Sequence, residues 1–343
     1  MGGAYAIVNA FLPAVEAFNG VEWGSEAILP PNDQGNYGQG VSTYAAVLGD
    51  NIYVIGHKGF GYMYSYSGNK VNGKWWVPEP RMGHPREGFA LAVFRGRIYA
   101  IGGKSMCQPQ SYAENPQSKC LPGEEKWFLN GPQAALETSV GVESIDPRAE
   151  REWRTECFSS GLGLEGNASR CLQTRRSGAS AAVFRDRLYV VGGYYGGSVE
   201  VFDGQAWGYL EHSFPFGLFG ATAIAFSDRL WIFGGFAYAA YLDTSVVFDG
   251  KVWVAQSQLL VPRAWGAGAV VDLPPDHCAD RRGWLPGQPC QRVYLLGGVG
   301  ATSAVASVES FDGQAWRVEP PLLNKRGRLA AVVYRKQGPG TDS

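Results

Sequence analysis

The sequence predicts an all-β chain in which a four-stranded antiparallel unit recurs six times around a ring. Three observations predict it. A Gly-Gly doublet recurs behind short runs of β-branched, Leu, Tyr or Trp residues, a turn centred on Gly or Pro comes after each doublet, and a Trp comes after each turn. Self-similarity at this spacing marks a repeat architecture in which no unit can bury its apolar faces alone.

The doublets are Ile101-Gly102-Gly103, Val191-Gly192-Gly193, Phe233-Gly234-Gly235 and Leu296-Gly297-Gly298, with Ile55-Gly56-His57 as a degenerate copy and Met1-Gly2-Gly3 as the tail of another. The turns are Phe18-Asn19-Gly20, Tyr66-Ser67-Gly68, Ile145-Asp146-Pro147, Phe202-Asp203-Gly204, Phe248-Asp249-Gly250 and Phe311-Asp312-Gly313. Asn-Gly and Asp-Gly favour left-handed backbone, so each marks a reversal between antiparallel strands. The indoles are Trp23, Trp75 or Trp76, Trp153, Trp207, Trp253 and Trp316. Each repeat reads as strands A to D. In the fourth, A lies near Ala179–Phe184, B near Arg187–Val191, C near Val199–Phe202 and D near Ala206–Tyr209. The strand-C aromatic and the strand-D Trp are the expected fillers between neighbouring sheets.

Composition agrees. The 343 residues contain 47 Gly, 13% aromatics and only 18% charged residues, which suits short strands and tight turns. A net charge of −1 gives no basic footprint for nucleic acid, and no apolar run is long enough to cross a bilayer. Insertions interrupt the repeats near 104–138, 154–174 and 272–291 of a single domain spanning 1–343.

Hydrophobic run, glycine doublet, then spaced Tyr or Phe and Trp resembles the Kelch repeat family. The resemblance covers essentially the whole chain and implies a six-bladed β-propeller of four-stranded antiparallel blades. The sequence departs from the family at His57, at Phe in four strand-C positions and at Ile145. Closure is unusual, because Arg328–Tyr334 reads as a strand A with no strand B after it. The final blade is therefore shared between the termini. Either it lacks one strand here, the chain being part of a longer protein with further domains, or Tyr5–Phe11 fills the vacancy. The first reading is the expectation, because Ala4-Tyr5-Ala6 echoes the loop Phe236-Ala237-Tyr238-Ala239 behind another doublet.

All six cysteines lie in the insertions, two in each: Cys107 with Cys120, Cys157 with Cys171, and Cys278 with Cys290, 12 to 14 positions apart. Local cross-links over loops of this size stabilise by about 3 kcal/mol each, so three disulfides and an oxidising compartment are expected. Free thiols in a reducing cytosol are the alternative. Zinc is disfavoured by the lack of Cys-x-x-Cys and by only four His. Asn167-Ala168-Ser169 is an N-glycosylation acceptor pattern inside one insertion, consistent with an extracellular, cell-surface or lumenal location.

Aligned on strand A, Arg86, Arg176, Arg263 and Arg326 occupy one position just before the strand, with Gly40 and Leu218 in the other two repeats. Strand A lines the channel of a propeller, so these arginines are expected to ring its mouth on the face where B–C and D–A connections emerge. There they would hold carboxylate, sulfate or phosphate. Kelch proteins use equivalent arginines for acidic peptides, which is what the resemblance implies here. The competing reading is that each arginine bonds to backbone carbonyls and recognises nothing. Tyr194, Tyr195, Phe236, Tyr238, Tyr241, Phe60, Phe214, Phe216 and Phe219 crowd the same face.

No catalytic residue, metal or cofactor is expected. His57, His84, His212 and His277 are scattered, and a copper-radical oxidase like the Kelch-containing galactose oxidases would need an uncommitted Cys. The first reading of function is a non-catalytic propeller that binds an acidic peptide, a protein loop or an anionic glycan. A sugar mutarotase, with Glu87 or His84 beside Arg86, is one rival. A cytosolic ubiquitin-ligase adaptor or actin-binding protein is the other.

Overall fold

A computed structural model describes residues 4–9, 15–19, 21–25, 42–56, 62–71, 74–84, 86–105, 139–160, 163–193, 197–211, 217–278 and 290–334. Among them, five sheets hold four antiparallel strands, one holds five, and two short ribbons hold two each. The number of four-stranded blades is thus five, not the six expected. No helix of the described residues is long and apolar enough to cross a membrane.

The fourth repeat matches its sequence pattern closely, with strands Ser180–Phe184, Arg187–Val191, Val199–Phe202 and Trp207–Tyr209. Its innermost strand packs between those of its neighbours, Ala90–Phe94 and Thr222–Phe226. The circuit continues through Ala267–Asp272, Leu329–Tyr334 and Tyr44–Leu48, back to Ala90–Phe94. Each inter-sheet space is filled by apolar side chains of both neighbours, such as Phe184, Tyr189 and Val191 against Leu230, Ile232 and Phe248. Within a blade the strand-C ring stacks on the strand-D indole, Phe202 on Trp207 at 5.1 Å and Phe248 on Trp253 at 4.8 Å. Several indoles also tie down the chain leaving the preceding blade. Trp23 Nε1 donates to the Pro320 carbonyl, and Trp153 Nε1 to that of Pro80. In the second repeat Trp76 takes this buried place, while Trp75 is exposed.

The glycine doublet joins blade to blade. Gly193 N–H donates to the Leu218 carbonyl of the next repeat at 2.7 Å, and a Cβ on Gly192 would stand 2.0 Å from that oxygen. Both glycines have positive φ, at 71° and 105°, so other residues are disfavoured by conformation as well as by space.

The strands depart from expectation in two places. Closure needs no missing strand, since Ala4–Asn9 takes the second position, pairing with Leu329–Tyr334 on one side and Glu16–Phe18 on the other. The echo of a post-doublet loop misled because Ala4–Asn9 (AYAIVN) has no Gly or Pro and suits a strand. In the third repeat the extended D-to-A connection is itself sheet: strand D, Arg154–Ser160, turns back into an added outer strand, Gly163–Gly166. Cys157–Cys171 ties that strand D to the connection beyond, with Cα atoms 5.1 Å apart. Cys278–Cys290, at 5.7 Å, closes the A–B insertion of the sixth repeat. Cys107 and Cys120 lie outside the described residues.

The four aligned arginines lie inside the blades and do not ring the mouth. Arg86, Arg176, Arg263 and Arg326 are 2%, 0%, 3% and 1% exposed. Each pairs with a glutamate on strand C of its own blade: Arg86 with Glu143 at 2.6 Å, Arg176 with Glu200 at 2.9 Å, Arg263 with Glu309, and Arg326 with Glu16. The guanidinium also donates to backbone, as Arg176 Nη1 does to the carbonyls of Gly192 and Ser198. The carboxylate accepts N–H groups of the D–A connection, Gln173 and Thr174 on Glu200, and Leu260 and Val261 on Glu309. Burial is tolerable because both charges are hydrogen-bonded on several sides. The fifth repeat has Leu218 at the arginine position and Val246 at the glutamate position, packed in one apolar cluster. The chain thus contains both solutions to the same junction.

Arg263→Ala is expected to cost about 3–5 kcal/mol by leaving Glu309 buried and unpaired. The double variant Arg263→Leu/Glu309→Val, which copies the fifth repeat, should recover most of that loss. Equilibrium urea unfolding of the three proteins checks both expectations. A second outcome concerns acid. Two hydrogen bonds from Arg97 hold the Glu150 carboxyl at about 2, below its ordinary 4.5. This pair stabilises the fold fully above the ordinary carboxylate range, and its contribution is lost as pH falls toward 2. Solvent screens the pair in part, so Glu150→Gln should lower stability at neutral pH by about 1–2 kcal/mol. It should also flatten the acid limb, read from melting temperatures between about pH 7 and pH 2.5.

Candidate functional site

Burial of the arginines fixes where strand A begins. Two residues beyond the aligned position of each repeat the chain turns inward, and these ring positions are Gly88, Gly178, Trp265 and Arg328 after the arginines, with Ser42 and Gly220 in the other two repeats. Gly178 N–H donates to the Gly88 carbonyl, Gly220 to Gly178, Trp265 to Gly220 and Arg328 to Trp265, all at 2.7–2.8 Å. The Tyr44 hydroxyl accepts from Gly88 N–H at 2.7 Å. A belt of backbone hydrogen bonds therefore links successive blades at the mouth of the channel. Its left-handed turn gives φ of 65°, 71° and 67° at the three glycines, and 51° and 56° at Trp265 and Arg328.

Below the belt lies a central cavity of about 450 Å³, walled largely by Ala, Gly, Ser and Thr of the inner strands. The mouth is uneven. At Gly88 and Gly178 the belt residues carry no side chain, whereas around Trp265 the mouth is aromatic. Phe219 lies 5.4 Å from the Trp265 ring, Phe236 at 6.3 Å and Tyr241 at 6.4 Å, all partly exposed. The ribbon Phe236–Tyr241 holds two of these rings, with Phe236 edge-on to Tyr241 at 5.0 Å.

Three charged side chains border the cavity: Glu87, Lys104 and Arg328. Arg328 is exposed and rests 5.8 Å over the Trp265 ring, and among the described residues no carboxylate lies within ion-pair distance of it. Tyr44, stacked on Phe89 at 3.8 Å, is pushed up to about 12 by burial, so its phenol stays protonated and serves as a hydrogen-bonding anchor of the belt.

Of the residues singled out in the sequence, Phe236, Phe219 and Tyr241 come together at the mouth. Phe219 lines the cavity, Phe236 and Tyr241 pack against Trp265 beside it, and Tyr238 stands at the ribbon tip, 83% exposed. Tyr194, Tyr195, Phe60, Phe214, Phe216, His57 and His212 lie outside the described residues. His84 does not line the cavity and is stacked on Phe158 at 3.8 Å with Glu165 at 3.5 Å, whereas Glu87 lines the cavity. Asn167 is exposed, and its side-chain oxygen accepts from Ser169 N–H and Oγ. Among the described residues no three His, Cys, Asp or Glu side chains converge as metal ligands.

Sequence reasoning missed Trp265 and Arg328. Their signal was present: the same alignment that groups the arginines places three glycines two positions on, interrupted by one indole and one guanidinium. It also missed the strand-C glutamates, although Val15-Glu16, Val142-Glu143, Val199-Glu200 and Val308-Glu309 recur only in repeats that carry the arginine.

Comparison with known proteins supports the repeat assignment. Residues 175–207, the fourth repeat, match the Kelch motif family. A solved structure described as that of YjhT superposes with a TM-score of 0.60, at 18% identity, over 90% of this chain and 91% of its own. At that identity the likeness concerns the fold. No curated protein sequence matches. Doublet, strand-C ring and strand-D indole form one repeated unit, and the chain is a β-propeller whose fourth repeat matches the Kelch motif.

Proposed function

We propose that this propeller is a non-catalytic interaction module that takes an acidic peptide or protein loop at the channel mouth, in an extracellular or lumenal setting. The observation that carries the reading is the partly exposed cluster Phe219, Phe236, Tyr241 and Trp265 beside an exposed arginine without a carboxylate partner among the described residues. Rigid aromatic rings at a cavity rim give large contact area for little lost side-chain entropy, and a nearby guanidinium selects for carboxylate. Kelch propellers in general mediate protein interactions, which agrees. The compartment is supported by the Cys157–Cys171 and Cys278–Cys290 bridges and by the exposed acceptor triplet at Asn167.

A peptide array displaying acidic sequences beside copies with Asp and Glu replaced by Asn and Gln tests the binding reading. Acidic peptides should bind preferentially, the preference should fade as salt is raised, and Phe236→Ala should weaken binding by about tenfold without changing the fold. Equal binding of both sets, or no effect of Phe236→Ala, overturns it. For the compartment, chain secreted from eukaryotic cells should show no titratable thiol under denaturing, non-reducing conditions, and a glycan mass that Asn167→Gln removes. Reactive thiols in that material would instead favour a reducing cytosol.

A further inference from the structure

Within the mouth, we propose that Trp265 and Arg328 form a two-part subsite for a carboxylate carried next to an aromatic ring, the ring packing against the indole beside Arg328 and the carboxylate paired with the guanidinium. This subsite rests on the mouth-binding reading and names the chemistry that the mouth selects.

The left-handed turn of the belt suits glycine, and Gly88, Gly178 and Gly220 supply it in three repeats. Trp265 and Arg328 adopt the same conformation at the equivalent positions with large side chains. A non-glycine residue held at positive φ is uncommon and costs free energy, most of all for a bulky side chain such as Trp. Glycine would relieve that cost, so the turn itself requires neither side chain.

Both side chains point along the belt toward the preceding repeat. A Cβ on Gly220 would meet the Trp265 indole at 2.9 Å, so the indole lies flat over that glycine. Arg328 in turn lies over the indole at 5.8 Å. The result is a layered edge of covered backbone, ring and guanidinium, with Phe219 and Phe236 beside the indole and with Phe219, Trp265 and Arg328 facing the cavity.

Arg326 and Arg328 stand in opposite environments. Two residues apart, one guanidinium is buried against Glu16, while the other is exposed with no carboxylate at ion-pair distance among the described residues. Arg328 therefore presents an open face to a ligand. An aromatic ring packed edge-on or offset against Trp265 sits about 4.5–7 Å from it, centroid to centroid. A carboxylate within about 3 Å of the guanidinium must then lie only a few bonds from that ring. An acidic residue adjacent to an aromatic one, or an aromatic residue with a free terminal carboxylate, meets this requirement.

The test uses the full chain labelled with 5-fluorotryptophan, the Trp265 resonance being the one that Trp265→Gly removes. It is titrated with N-acetyl-L-phenylalanine, the amide of the same compound, and N-acetyl-L-alanine. The Trp265 resonance should shift with the first, with affinity at least about tenfold weaker for the other two. Arg328→Gly should abolish the preference for acid over amide, and Arg328→Lys should restore part of it. The melting temperature of Arg328→Gly should stay unchanged or rise, since glycine suits the turn, whereas a purely structural arginine predicts a fall. Equal affinity for acid and amide, or a silent Trp265 resonance, overturns the subsite. If Arg328→Gly still binds acidic peptides that Phe236→Ala has lost, the subsite fails while the mouth-binding reading stands. If acidic peptides never bind the unaltered chain, both fall.

Discussion

The pairing of a buried arginine with a buried strand-C glutamate organises this propeller. It does more than join two charges, because the carboxylate also collects N–H groups from the incoming connection and the guanidinium collects carbonyls from strand ends. The segment that crosses from one blade to the next is thereby held at a fixed height. Strand A starts from that height, and the mouth residues two positions on inherit it. The belt around the channel is a consequence of four such knots and of the apolar junction that replaces them at Leu218 and Val246.

This explains why the arginines misled and why their position was nonetheless informative. From sequence, a guanidinium recurring at the start of an inner strand reads as a crown of ligand donors. What decides otherwise is the glutamate on strand C, 24 to 57 residues later in the third, fourth and sixth repeats. Pairing across such distances is visible only by comparing repeats with each other. Local features fared better. The fourth-repeat strands lie within one residue of the pattern, since alternation, doublet and Asp-Gly turn all act over short range. The turn aspartates also cap locally, Asp203 accepting from Gln205 and Ala206.

Where the sequence was opaque, the reason was topological. Whether Ala4–Asn9 pairs with Leu329–Tyr334 depends on closure of the whole ring, and no local propensity encodes it. The added strand Gly163–Gly166 was read as loop because GLEG has little strand propensity. It pairs because strand D of that blade runs long and offers an open edge. Trp265 and Arg328 were hidden differently. Each looks like an ordinary aromatic or basic residue until its backbone angle is known.

The closing blade has a further consequence for how the molecule is made. Leu329–Tyr334 is the innermost strand of a sheet whose other three strands come from the opposite end of the chain, and Arg326 reaches the same blade's Glu16. On a ribosome the early strands keep one edge uncovered until Leu329–Tyr334 has emerged. That interval is when stray pairing with another nascent chain competes with the proper partner. Closing the ring therefore depends on pairing between Ala4–Asn9 and Leu329–Tyr334, a contact of the long sequence separation that slows folding.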